Sequence, residues 1–383
     1  MGNSRRMGKD VLIIGAGIVG LSIAYYAAQK GHRVRVLDRG TPETLGCSHG
    51  NAGMIVPSHF VPLAAPGMVA LALRCMDDPE SPFYLKPRPS ADLAAWAWRF
   101  FRSATDEHVA RAAPLLSAAH LQSRACYQRW AEDWNEDFGF AARGLLMLCN
   151  TERGLEEEAR TADAGRRLGI PSCLLSAHTA STLEPALRMD IAGAVYFPLD
   201  CHLSPRLLME ALVRQLARAD VELSWGTSVE GWRERDERIT SIRTSRGDIE
   251  ADEYVLAAGV WSTKLARDLG LRLPMEAGKG YSLTLAAPAR LPRLCAILSE
   301  ARVAMTPMGE RLVDVLAAKS GARCLQSIPN RRRGLCGHGA RRPFSRIVGR
   351  PQHVGRHAGD RALHSPGGLP ERSGDCSSAR ASR

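Results

Sequence analysis

The chain has 383 residues, enough for two domains or one large α/β domain, and its 45% hydrophobic content is ordinary for a globular protein. The net charge of +11 is confined to one end, since the fifteen basic and four acidic residues from Arg311 onward account for all of it. The rest of the chain is neutral, which argues against a basic nucleic-acid-binding face on the folded body and leaves no nucleic-acid partner expected.

Residues 11–14 read as a short buried strand, residues 15–20 as a tight turn, and the helix that follows runs to about Gln29. Gly31 and His32 end it, and residues 33–37 form a second strand, so the chain opens as a βαβ unit. Residues 40–90 are rich in Gly, Pro and Ser and read mostly as loop, with an apolar helical candidate at 66–76. Helices with an apolar stripe are expected at 91–102, 114–138 and 205–219. Strand-like runs fall at 144–149, 193–197, 228–233, 239–244, 253–257 and 281–285. The mixture predicts an α/β fold: a Rossmann-like nucleotide-binding domain with an inserted, mainly antiparallel α+β substrate domain.

After about Leu312 the character changes: Arg, Gly, Ser, His and Pro dominate, Phe344 is the sole aromatic residue, and no period persists. Such a composition buries too little apolar surface to offset chain entropy, so an irregular tail is expected. The segments are then 7–60 and 201–270 for the nucleotide-binding domain, 61–200 and 271–312 for the helical and substrate-domain parts, and 313–383 for the tail.

The ten cysteines include no C-x-x-C pair, so neither zinc nor a disulfide framework is expected, and reduced thiols suit a cytoplasmic setting. Arg5 and Arg6 precede an apolar run in the manner of an export signal, but the glycines in that run have the better explanation that follows. No stretch reaches the ~18–20 apolar residues of a spanning helix. Residues 68–73, with Trp96, Trp98, Phe100 and Phe101, have two destinations open: the core, or an apolar surface against a bilayer.

Gly15, Gly17 and Gly20 form G-x-G-x-x-G, with Ala24 four residues on. The first Gly permits the turn, the second lets backbone approach a pyrophosphate, and the third lets helix pack closely on strand. Phosphates then sit on the free N–H groups of the helix N-terminus. Asp38 ends the second strand 23 residues after Gly15, near the spacing expected for a carboxylate on ribose hydroxyls.

Three later segments resemble one family. CSHGNAGMI at 47–55 resembles the flavin-contacting loop of the FAD-dependent D-amino-acid oxidase superfamily. YVLAAGVWS at 254–262 resembles the late strand that returns to the nucleotide domain, and GKGYSLTL at 278–285 resembles the substrate-domain return of its D-amino-acid dehydrogenase branch. The resemblance implies FAD as cofactor, with Gly15, Ala16, Gly17, Ile18, Val19 and Gly20 cradling the pyrophosphate and Asp38 on the adenosine ribose. It places Ser48, Asn51, Ala52, Gly53 and Met54 along the pyrophosphate and isoalloxazine. It further implies that Val229 meets adenine through its backbone and that Ala258, Gly259 and Trp261 flank the nucleotide. Tyr281 is the substrate-carboxylate candidate, no catalytic acid or base is assigned, and no metal is implied.

The implied reaction is oxidative deamination of D-amino acids to 2-oxo acids and ammonia, with electrons passed to a quinone-type acceptor. A peripheral position on the cytoplasmic face of the inner membrane would go with that acceptor. Glycine- or sarcosine-type oxidation and D-hydroxyproline dehydrogenation stay open, as does an inactive product with a disrupted C-terminus. The resemblance fades after Leu312, and the Arg fork that would bind a free carboxylate is not recognisable in the tail. A shifted reading frame explains an abrupt basic tail in mid-resemblance. Translating the coding DNA in the other two frames is then expected to give an apolar, Gly-containing continuation with that Arg; if neither frame gives one, the frameshift idea fails.

Overall fold

Asp10–Ile14 (β1), Ile18–Gln29 (α1) and Arg33–Leu37 (β2) form the expected βαβ opening. The computed structural model describes residues 8–42, 46–74, 89–236, 238–316 and 344–347, with backbone alone at 278–281, 314–316 and 344–347. The described residues belong to one compact unit, Met1–Val348.

β1 has the sequence DVLII and is buried from Val11 to Ile14 without alternation, as befits a strand covered on both faces. It lies inside a parallel four-stranded sheet in the order Glu253–Leu256, β1, β2, Glu222–Ser224. Val11 and Ile13 join Leu21 and Ala24 of α1 and Leu208, Leu212 and Leu216 of the Pro205–Arg218 helix in one core cluster. Leu12 and Ile14 join Ile242, from a three-stranded antiparallel sheet, and Leu265 in another. The period-2 alternation of a strand thus serves two cores.

The second large sheet has eight strands and is antiparallel except where Leu145–Cys149 pairs with Cys295–Leu298. Leu145 and Met147 enter a cluster with Phe60, Ala113 and Ile170, while Leu146 and Leu148 enter one with Ala194 and Val303. The Rossmann-like domain with a mainly antiparallel insert is therefore the observed architecture.

Several boundaries differ from expectation. The helix read at 114–138 is Asp106–Asp133. Thr105 Oγ1 accepts the His108 N–H and caps its first turn, so Pro114 lies inside the helix instead of leading it. The candidate at 66–76 is Met68–Arg74. The strand Arg311–Leu316 crosses the expected start of the tail and pairs on one side with Val303–Met308 and on the other with Ala277–Ala286. Leu312 anchors it at full burial, and its ladder neighbours supply the regularity that composition hides. Phe344–Ile347 is a further strand on the edge of Ala277–Ala286. Cys173 is disulfide-bonded, against the expectation of uniformly reduced thiols, since spacing along the chain does not report which sulfurs meet in space. On the Ala91–Ser103 helix Trp96 and Phe100 are half-buried, whereas Trp98 and Phe101 are 60% and 56% exposed.

A polar clamp ties the segment just after the strand Met54–Ile55 to the turn just before its partner strand Cys201–His202. The fully buried Asp200 accepts the Ser58 backbone N–H at 3.1 Å and its hydroxyl at 2.5 Å. Burial pushes the Asp200 carboxyl up to about 7, against the two Ser58 bonds and the Arg124 charge, which pull it down. Because the folded protein holds this proton more tightly than the unfolded chain, Asp200 favours folding below about pH 4 and loses that contribution as pH rises through about 7. The neighbouring His202, held down to about 4 by burial, has the opposite slope. Comparison with Asp200→Asn isolates the carboxylate: between pH 5 and pH 8 wild type should lose on the order of 2–4 kcal/mol relative to the variant in urea unfolding. Parallel curves for the two proteins would refute it.

Candidate functional site

The glycine turn sits at the carboxyl edge of the parallel sheet, where α/β folds place their ligands. Gly15 has φ +110°, donates its N–H to Leu37 O at 2.8 Å, and would put a Cβ 2.5 Å from Ala257 O. A Cβ on Gly20 would overlap the carbonyl oxygen of Gly15. Both glycines are therefore demanded by the protein's own packing. Gly17 is different: a Cβ there would meet only Ser48 Oγ, at an ordinary 3.4 Å. Gly17 precedes α1 with no side-chain cap on the helix, so the open space beside it is where an anion could approach the helix N-terminus. The room a Cβ would fill fits a dinucleotide pyrophosphate.

Asp38 is placed as expected but is already engaged. Its two carboxylate oxygens accept the Ala16 N–H at 2.8 Å and the Gly40 N–H at 2.7 Å. The side chain thus ties the glycine turn to the end of β2, and each oxygen keeps lone-pair capacity for ribose hydroxyls. Arg39 lies over the Trp261 ring, with its guanidinium carbon 4.2 Å from the centroid, so this cation is committed to a stacking contact.

The loop after β2 meets α1 through Ser48, whose hydroxyl accepts the Ile18 N–H at 3.0 Å. Asn51 accepts the Gly53 N–H at 2.7 Å and donates to Ser48 O, a local turn that presents Ala52 and Gly53. Gly53, at φ +65°, is pinned by Leu203, whose N–H donates to Gly53 O at 2.8 Å and whose carbonyl would overlap any Cβ on Gly53. Met54 then pairs with His202 across a two-stranded ladder.

A cavity of about 340 Å³ brings five of the expected residues together: Ile18, Ser48, Asn51, Gly53 and Met54. Its other walls were not anticipated. His120, Ser123 and Tyr127 come from the Asp106–Asp133 helix, and Leu208 and Met209 from the Pro205–Arg218 helix. The helix alternates polar and apolar residues throughout, so its sequence carries no signal that singles out His120, Ser123 and Tyr127. Elsewhere, Ala258 and Gly259 follow Ala257, whose carbonyl approaches Gly15, so the return strand does reach the turn. Val229 begins a strand of the three-stranded sheet and packs into the core behind β1, and Val19 is 59% exposed. Tyr281 lies on the Ala277–Ala286 strand, and its side chain is outside the described residues. Among the described residues no cluster of His, Cys, Asp and Glu could hold a metal, and no helix is long and apolar enough to cross a membrane.

The profile of the family described as FAD dependent oxidoreductase matches residues 10–325. A D-amino acid dehydrogenase of Granulibacter bethesdensis is 32% identical over 314 residues, covering 79% of this chain and 73% of the relative. A D-amino acid dehydrogenase of Chromohalobacter salexigens is 33% identical over 283 residues, covering 72% and 67%. Among solved structures, glycine oxidase from Geobacillus kaustophilus superposes with a TM-score of 0.60 at 25% identity, covering 80% of this chain and 70% of that one. L-Amino acid deaminase from Proteus myxofaciens, in complex with anthranilate, shares the fold with a TM-score of 0.59 at 16% identity, covering 82% and 60%.

The contrast between the glycines gives a direct test. Gly17→Val should fold with the thermal midpoint of wild-type apoprotein and fail to retain FAD, because its side chain fills only the space left for the cofactor. Gly20→Val should lower the thermal midpoint of the apoprotein itself, because it collides with backbone. Stoichiometric FAD in purified Gly17→Val would refute this placement.

Proposed function

Because the chain belongs to the FAD-dependent oxidoreductase family, we propose that it oxidises D-amino acids to 2-oxo acids and ammonia and hands the electrons to a quinone-type acceptor. The observation that carries this reading is the open cradle at Gly17 in a chain about a third identical to D-amino acid dehydrogenases.

FAD, when bound, supplies the acceptor for the hydride that leaves the substrate Cα. The residues of this chain bind and orient. Gly15, Ala16, Gly17, Ile18, Val19 and Gly20 receive the diphosphate at the positive end of α1. Asp38 takes ribose hydroxyls with the capacity its backbone bonds leave free, and the Val229 backbone meets adenine. Ala258, Gly259 and Trp261 close the nucleotide side. Ser48, Asn51, Ala52, Gly53 and Met54 lie along the flavin, held there by the Leu203 and Asp200 contacts. Loss of the Cα hydride from a neutral amine leaves an iminium; water adds to its carbon and ammonia departs, giving the 2-oxo acid. This sequence calls for no protein acid or base beyond deprotonation of the amine.

A second reading, a glycine-type oxidase that reduces oxygen, has the Geobacillus glycine oxidase likeness in its favour. The quinone reading draws support from the exposed Trp98 and Phe101, an apolar face suited to a bilayer surface where a quinone resides. The two readings separate in one cuvette. Anaerobic addition of mixed D-amino acids should bleach the oxidised-flavin absorption of the purified protein, and an artificial quinone or dye should restore it faster than oxygen does. Stoichiometric hydrogen peroxide with no dye reduction would select the oxidase, and an unbleached spectrum would reject both.

A further inference from the structure

The Asp106–Asp133 helix carries a row of polar side chains into the cofactor cavity. His120, Ser123 and Tyr127 stand at i, i+3 and i+7, which is one face of an α-helix, and all three line the cavity together with Ser48, Asn51 and Gly53. His120 and Tyr127 are half-buried and Ser123 is exposed, and a polar atom buried on such a face needs a partner. The His120 Nδ1 has none: it is buried and makes no hydrogen bond within the protein. Burial also holds the imidazole below its usual pKa, so at neutral pH one ring nitrogen donates and the other accepts. The Leu208 and Met209 side chains on the adjoining wall are apolar, so neither competes for a hydrogen bond with the ring.

The residues that share the cavity with the ring narrow its partner. Ile18 opens the helix whose N-terminus takes the diphosphate, and Gly53 and Met54 belong to the loop assigned to the flavin ring. The part of FAD between diphosphate and ring is the ribityl chain, whose hydroxyls both donate and accept. We propose that His120 hydrogen-bonds a ribityl hydroxyl of FAD through Nδ1 and thereby fixes the cofactor's middle section. The assignment rests on the FAD reading above.

Binding of FAD and of ADP to the full-length apoprotein tests it, because ADP has the adenosine and diphosphate but no ribityl chain. His120→Leu should weaken FAD about 3- to 10-fold, the range for one uncharged hydrogen bond, and leave ADP unchanged. His120→Asn should bind FAD within about 2-fold of wild type, since an Asn amide atom occupies the same distance from Cβ as Nδ1. Apoprotein thermal midpoints should match across the three proteins, which separates a ligand contact from a packing role. Equal loss for FAD and ADP in His120→Leu, or no loss for FAD, would overturn the assignment while leaving the FAD reading intact. Failure of wild type to bind FAD at all would instead reject that reading.

Discussion

At Gly15 three backbone segments converge with no space for a side chain. Its N–H bonds the last residue of β2, its α-carbon faces the Ala257 carbonyl, and its own carbonyl lies against Gly20. The register of β1 between β2 and Glu253–Leu256 sets this meeting, since both neighbours run parallel to it and end at the same edge. The cradle at Gly17 exists only because those contacts hold the turn open on its outer side. Asp38 reinforces the arrangement from the end of β2, so a residue expected mainly to recognise ribose also holds the turn that receives phosphate.

The flavin-side loop is held from a different direction. Leu203 pins Gly53, His202 pairs with Met54, and Asp200 grips Ser58, three contacts from one short return segment. Burying a carboxylate for this purpose is costly, and the raised Asp200 pKa reports that cost. What the clamp secures is the distance between the loop and the glycine turn, which Ser48 bridges through its bond to Ile18. A cofactor spanning both would then meet preorganised walls rather than ordering them on arrival.

The third wall depends on aromatic packing. Trp130 and Trp134, stacked with centroids 4.7 Å apart, sit at the end of the Asp106–Asp133 helix and pack against Tyr25 and Tyr26 of α1. The Trp134 indole N–H donates to the Tyr25 hydroxyl at 2.9 Å. This seam fixes the rotation of the long helix relative to α1, and with it which face carries His120, Ser123 and Tyr127 toward the cavity.

The glycine spacing, the buried run of β1 and the acid after β2 were legible in the sequence because each is a local requirement: a turn, a two-sided strand, a carboxylate at a fixed offset. The stretch 47–55 and the return strand were legible through resemblance, and the structure brings both to the turn. The strands Cys295–Leu298 and Arg311–Leu316 were not, because each is short and is completed by a partner farther back in the chain, Leu145–Cys149 and Ala277–Ala286 respectively. The spacing assigned the three glycines separate roles, and the neighbours in space add how little room surrounds Gly15 and Gly20 and how open Gly17 is. The sequence by itself determined the βαβ unit and the type of ligand it takes, as local backbone geometry and residue spacing dictate both. Tertiary structure alone decided that Asp200 clamps the loop and that His120 faces the cavity, because burial and an unpartnered ring nitrogen are properties of surroundings assembled from segments far apart in the chain.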